Sequence, residues 1–194
     1  MIFLRILAFV GFVILSPIIT ISCLLILLED GFPLLFIQKR IGKYEEVFKI
    51  FKIRTMHTST PSLGTHEISS KHYLKIGNIL RNLKIDELPQ IINFVVGDIN
   101  LVGPRPGLEN QIELLHHRRL NKVFTVKPGI TGLSQVLGYD MSNPELLSKI
   151  DNLYIEKQSA FLDIEIFFAT FFRRIRNNLK NKFEKDIINI TKNN

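Results

Sequence analysis

Residues 6–28 read ILAFVGFVILSPIITISCLLILL, a run of 23 residues without a formal charge, bounded by Arg5 before it and Glu29-Asp30 after it. About 20 apolar residues suffice for a helix to cross the hydrocarbon core, so this stretch fixes a membrane association. A cleaved signal peptide is disfavoured, because its apolar core is ordinarily only ~7 to 15 residues long and ends in a small-residue cleavage pattern. Ser16-Pro17 interrupts the run near its middle. Proline removes a backbone donor and crowds the preceding turn, so a kink is expected there.

Two topologies follow. The helix spans the membrane with a tolerated proline, or it turns back at Ser16-Pro17 and returns both ends to the cytoplasmic side. In the second case the Ser16 hydroxyl helps to satisfy the freed carbonyl. Each half is then ~15 Å long, enough to reach half way through a ~30 Å core. Basic residues on both sides of the run favour the cytoplasmic face, which a spanning helix cannot give to both ends.

The remainder of the 194 residues has room for one domain of ordinary size. The formal charge of the whole chain, +7 from 25 Lys and Arg against 18 Asp and Glu, suits an anionic partner such as a nucleotide, a lipid phosphate or a nucleic acid. Charge alone does not choose among these. The single cysteine, Cys23, excludes an intrachain disulfide and agrees with a reducing, cytoplasm-facing location.

Residues 34–56 hold two β-favouring runs around Gly42-Lys43 and predict a β-hairpin with basic residues on one side. The Thr, Ser, Gly and Pro content of residues 57–70 predicts a loop. Residues 71–83 predict a helix. A second starts at Asp86, with Leu88, Ile91, Ile92, Val95 and Val96 as its apolar stripe and Gly97 as its stop. Residues 107–121 are expected to be helical, and another helix starts near Pro144. The aromatic stretch from Leu162 to Phe172, followed by Arg173, Arg174, Arg176, Lys180 and Lys182, suits a helix lying on an anionic membrane surface. A core helix with a solvated tail is the competing reading.

The adjacent carboxylates Asp86 and Glu87 fall at a predicted helix start. A structural account makes Asp86 an N-cap and has Glu87 complement the helix dipole. A chemical account notes that a carboxylate at such a place can bind Mg²⁺ or attack phosphorus, and that free amides there can hold phosphate. Arg81, Arg105 between two prolines, and Lys127 before Pro-Gly supply cations of the kind a nucleotide diphosphate needs. His116-His117 point about 100° apart on a helix and make a poor metal pair.

Seven segments in one order carry a resemblance. They are Ser16-Pro17, Phe36-x-Gln38-x-Arg40-x-Gly42, Phe48 to Met56, Arg81-x-x-x-x-Asp86-Glu87-Leu88-Pro89-Gln90, Gly97-Asp98, Val102 to Pro106, and Lys127 to Gly132. Together they resemble the bacterial sugar transferases, or monotopic phosphoglycosyl transferases, over nearly the whole chain up to about Arg174. The resemblance implies an α/β (α+β-like) fold with a small sheet surrounded by helices. It implies a re-entrant membrane hairpin over residues 1–30, a cytoplasmic-face catalytic domain over 31–183, and leaves 184–194 as a polar tail.

It further implies that Asp86 attacks the β-phosphate of a UDP-sugar, releasing UMP, and that polyprenyl (undecaprenyl) phosphate then accepts the phosphosugar. Asp86 is thereby the nucleophile and a Mg²⁺ contact, and Glu87 its catalytic partner. Arg105 and Lys127 contact phosphate or nucleotide, and Arg81 pairs with a carboxylate or phosphate. The implied setting is the bacterial inner membrane and its lipid, with no nucleic-acid partner. Two segments depart from the family's usual pattern. Leu133-Ser134-Gln135-Val136 stands where Trp-Ala-Gln-Val is common, and Leu137-Gly138-Tyr139 where an Asn-Gly-Arg type segment is common. An adaptor that only binds anionic lipid or nucleic acid through its basic face is the rival from another class.

Overall fold

The computed structural model describes residues 2–60 and 72–192. Most of the loop expected over 57–70 lies outside the described residues. The chain divides into two compact units, residues 1–39 with 49–98 and residues 40–48 with 99–194.

The first unit is organised on α1 (Ile2–Asp30), which carries Pro17 in its interior without ending there. In an α-helix the N–H of residue 17 would bond the Val13 carbonyl. Proline has none, and the Ser16 hydroxyl donates to that carbonyl instead, at 2.7 Å. The expected role of Ser16 is therefore present, although helical structure continues through the proline. Among the described residues α1 is the one helix long and apolar enough to cross a membrane. Most of its large apolar side chains are exposed, whereas Ile26 is buried with Ile53, Leu74 and Leu80.

Both ends of α1 touch the body of this unit. Glu29 accepts from the Lys75 and Ile76 amides at 2.7 and 3.1 Å. These open α2 (Lys75–Asn82), so Glu29 occupies two donors that a helix start leaves without partners. Asp30 pairs with Arg54 and with His57. At the other end the Arg5 guanidinium lies against Gly97.

β1 (Leu35–Ile41) and β2 (Val47–Ile53) form the predicted two-stranded hairpin sheet. Its turn is a 3-10 segment, Lys43–Glu45, with Tyr44 and Glu45 at positive φ. Gly77 of α2 lies so close to Thr55 that a Cβ would fall 2.2 Å from the Thr55 carbonyl oxygen, which explains a glycine inside that helix.

The helix expected from Asp86 begins instead at Gln90, as α3 (Gln90–Val96). Asp86 and Glu87 lie in a preceding 3-10 turn, Ile85–Glu87, entered through Lys84 at φ 60°. Pro89 again supplies the reason. It cannot donate to the Ile85 carbonyl, and the Leu88 amide takes that acceptor at 3.1 Å in a tighter turn. The predicted apolar stripe is not the buried face either. Gln90, Asn93 and Phe94 are buried, while Ile92 is 40% and Val96 68% exposed.

In the second unit β3 (Asn100–Val102) pairs in parallel with β4 (Gly129–Thr131), with Asn100 opposite Gly129 and Val102 opposite Thr131. α4 (Ile112–Leu120) is shorter than expected. α5 (Leu133–Leu137), α6 (Pro144–Lys157), α7 (Ala160–Phe171) and α8 (Arg173–Lys192) complete the unit. Proline at the first position and the Asn143 side chain, which accepts from the Leu146 amide at 3.1 Å, start α6. The α/β expectation is met, among the described residues, by mostly helical structure with two small sheets.

The core of this unit includes Ile150, Tyr154, Ile166, Leu179 and Phe183. Residues 184–192, expected as a polar tail, continue α8. Leu179, Phe183, Ile187 and Ile190 recur at helical spacing and pack on the core, which holds the helix past Phe183. On α7, Phe161, Ile164, Phe168 and Phe171 stay exposed, as does Phe172 just after it, beside Arg173 and Arg174.

Candidate active site

Asp86 is the buried residue of its 3-10 turn, and no side chain caps α3, whose N-cap position is Pro89. The capping account of Asp86 therefore finds no hydrogen bond to rest on. Burial pushes the Asp86 carboxyl above the ordinary aspartate range. The positive charges of Lys52, Arg81 and Lys84 pull it back down, and Glu87 adds to the upward push. Burial and the three cations thus act in opposite directions on this carboxyl, and burial prevails. A buried carboxyl with a perturbed pKa among cations is a candidate for nucleophilic chemistry.

Glu87 is fixed by Lys52, whose Nζ donates to Oε1 at 2.8 Å, with both side chains about 15% exposed (14% and 15%). The sequence reading missed Lys52. Its signal was present in the alternation of β2, because Lys52 shares a strand face with the buried Ile50 and a lysine on a buried face needs an anionic partner. Arg81, expected to pair with a carboxylate or phosphate, lies at the end of α2 with its guanidinium 4.7 Å from the Tyr73 ring centroid. Its charge still acts on Asp86.

The other two expected site residues, Arg105 and Lys127, belong to the second unit. There the β3–β4 pair sets their segments side by side. The Gly129 amide donates to the Pro104 carbonyl at 3.0 Å and the Gly103 amide to that of Thr131 at 2.9 Å. A Cβ on Gly129 would fall 2.1 Å from the Gly103 nitrogen, so the two turn-rich motifs meet backbone to backbone. Arg40 donates to the Pro106 carbonyl at 3.2 Å. Burial, with the charges of Arg105 and Arg118, holds its guanidinium below the usual range. Arg118 is itself paired with Asp151 at 2.6 Å.

Among the described residues no group of three or more His, Cys, Asp and Glu could hold a metal. Mg²⁺ ordinarily takes only one or two carboxylates and fills its other positions with water and substrate phosphate. Asp86 and Glu87 are the neighbouring carboxylates of that turn, Glu87 being already bonded to Lys52.

The model of the bacterial sugar transferase family matches residues 1–177. The chain belongs to that family. It is 36% identical over 155 residues to a Bacillus subtilis (strain 168) protein named as the uncharacterized sugar transferase EpsL, covering 80% of this chain and 76% of that one. It is 34% identical to an Aeromonas hydrophila UDP-N-acetylgalactosamine-undecaprenyl-phosphate N-acetylgalactosaminephosphotransferase, over 80% of this chain and 38% of the relative. A UDP-glucose:undecaprenyl-phosphate glucose-1-phosphate transferase of Caulobacter vibrioides (strain ATCC 19089 / CIP 103742 / CB 15) is 33% identical, over 80% of this chain and 61% of the relative. The chain thus spans less than two thirds of the latter two. Family membership and α1 together make this a membrane-associated protein.

Proposed function

We propose that this chain is a phosphoglycosyl transferase that moves a sugar 1-phosphate from a UDP-sugar to undecaprenyl phosphate at the cytoplasmic face of the bacterial inner membrane. The observation that carries the reading is Asp86, buried among Lys52, Arg81, Lys84 and Glu87 in a chain whose family match runs over residues 1–177.

In the first half-reaction an Asp86 oxygen attacks the β-phosphorus of the donor. An oxygen–phosphorus bond forms, the bond from that phosphorus to the bridging oxygen breaks, and UMP leaves with the electron pair. In the second, an oxygen of the lipid phosphate attacks the same phosphorus and restores the Asp86 carboxylate. Lys52, Arg81 and Lys84 offset the negative charge that builds on the phosphoryl oxygens, and Lys52 keeps Glu87 in place. Asp86 with Glu87 would hold Mg²⁺, which would supply further charge neutralisation. Arg105 and Lys127, whose segments lie side by side within the second unit, are phosphate or nucleotide contacts in this reading.

α1 acts as a re-entrant helix. The Ser16–Val13 bond meets the polar cost of Pro17 inside the bilayer, and contacts of Arg5 and Glu29 with one unit favour both ends on one side. The exposed aromatic face of α7, with Arg173 and Arg174, supports contact with an anionic lipid surface.

The test is purified protein with Mg²⁺, undecaprenyl phosphate and a panel of UDP-sugars, scored for UMP. Release of UMP with at least one donor is expected. No release with any donor leaves the adaptor reading ahead. For the topology, labelling from the periplasmic side should miss the N-terminus, and periplasmic exposure of Met1 rejects re-entry.

A further inference from the structure

Asn93 is fully buried, at 0% exposure, in a helix whose neighbours Ile91, Ile92, Phe94 and Val95 are all apolar. A buried primary amide in such a place must satisfy both its donor and its acceptor. Its Oδ1 accepts from the Phe51 amide at 3.2 Å, and its Nδ2 donates to the Lys49 carbonyl at 2.7 Å and to Asp98 Oδ2 at 3.0 Å. Lys49 and Phe51 are alternate residues of β2, so the side chain stands where the peptide group of a neighbouring strand would stand. Asp98 is held in turn, its amide donating to the Asn93 carbonyl at 2.9 Å.

The residue after Phe51 is Lys52, which meets Glu87 at 2.8 Å. Glu87 lies six residues before Asn93, on the turn that leads into α3. A closed circuit results, from Asn93 along β2 to Lys52, across to Glu87, and back through α3. We infer that Asn93 is a positioning residue that fixes the register of β2 against α3, and so sets the Lys52–Glu87 contact beside Asp86. A slip of one residue along a strand moves side chains by ~3.3 Å and turns them to the opposite face, which would break that contact. The residue type follows from the geometry. Leucine would fill the space but orphan the Phe51 amide and the Lys49 carbonyl. Aspartate would set acceptors against the Lys49 carbonyl and the Asp98 carboxylate.

The inference rests on the catalytic reading of Asp86 and Glu87, and a double-mutant cycle in the full chain, reconstituted with its lipid acceptor, separates the two. With wild type releasing UMP, Asn93→Ala should lower kcat at least tenfold while the KM for the UDP-sugar stays within about threefold. In a Lys52→Met background the same substitution should cost less than threefold, because the contact it protects is already gone. An undiminished cost in both backgrounds, or a wild-type kcat for Asn93→Ala, overturns the inference. Asn93→Ser replaces alanine in the cycle if Asn93→Ala does not fold. A readout independent of turnover is the Lys52 side-chain ¹⁵N signal. Glu87→Gln should move it, and Asn93→Ala should move it in the same direction. An unmoved signal in Asn93→Ala overturns the inference even where no UMP is released and the catalytic reading itself has failed.

Discussion

Lys52→Met keeps the length of the side chain and removes its charge. The Lys52–Glu87 bond is 2.8 Å long with its partners 14% and 15% exposed, so solvent screens it little. A hydrogen bond between charged groups contributes about 1.5–3 kcal/mol. If that energy holds Glu87 in its reactive position, its loss corresponds to roughly 10- to 150-fold in kcat/KM, at about 1.4 kcal/mol per factor of ten. A second consequence has a defined sign. Lys52 is the largest of the charges pulling the raised Asp86 carboxyl back down, so its removal should move the acid limb of the pH–rate profile upward. The assay is UMP release against UDP-sugar concentration from about pH 5 to 8, the range around which such limbs are read. Lys52→Arg should recover part of the loss. A Lys52→Met enzyme within threefold of wild type, with an unshifted acid limb, would refute the role given to this bond.

Arg118→Met should leave Asp151 buried without its cation, since both side chains are only 2% exposed and 2.6 Å apart. Breaking one side of a buried pair costs about 3–5 kcal/mol. For a chain of this size the thermal midpoint should fall by about 6–20 °C, and a change under 2 °C would contradict the pairing's importance. Asp86→Asn should lose activity yet gain stability. Burial raises the folded-state pKa of Asp86 above its unfolded value. The stability contributed by the protonated form is therefore complete below the unfolded pKa and is lost as pH rises through the folded one. Measured with chelator present, the midpoint of Asp86→Asn minus that of wild type should grow from about pH 4, near the unfolded aspartate pKa, towards pH 7. A difference that shrinks over that range would reverse the sign argued here.

Much of the fold is legible in the chain because strong local constraints act alone. Twenty-three uncharged residues leave no alternative to an apolar helix, and Asn143-Pro144 states where α6 begins. Asp86 and Glu87 were singled out through ordered motifs rather than through periodicity. α3 shows the limit of periodicity, which reports that a helix has an apolar face without saying what that face meets. Ile92 and Val96 remain exposed while Gln90 and Asn93 turn inward, Asn93 to bond β2. Lys52 escaped notice for a related reason. Its partner lies 35 positions away, a distance that only the packing of β2 against the 3-10 turn reveals. The continuation of α8 depended on Ile187 and Ile190 finding a core formed by other helices, whereas local composition pointed to solvent.

The central claim is that Asp86 bears the phosphosugar. Incubating the protein with a UDP-sugar and Mg²⁺ but without the lipid acceptor, then digesting and weighing the peptide that contains Asp86, tests it directly. The account predicts a mass increase equal to the phosphosugar on that peptide, absent in Asp86→Asn and discharged when undecaprenyl phosphate is added. An adduct that persists in Asp86→Asn, or UMP release without any adduct on the wild-type peptide, would contradict it.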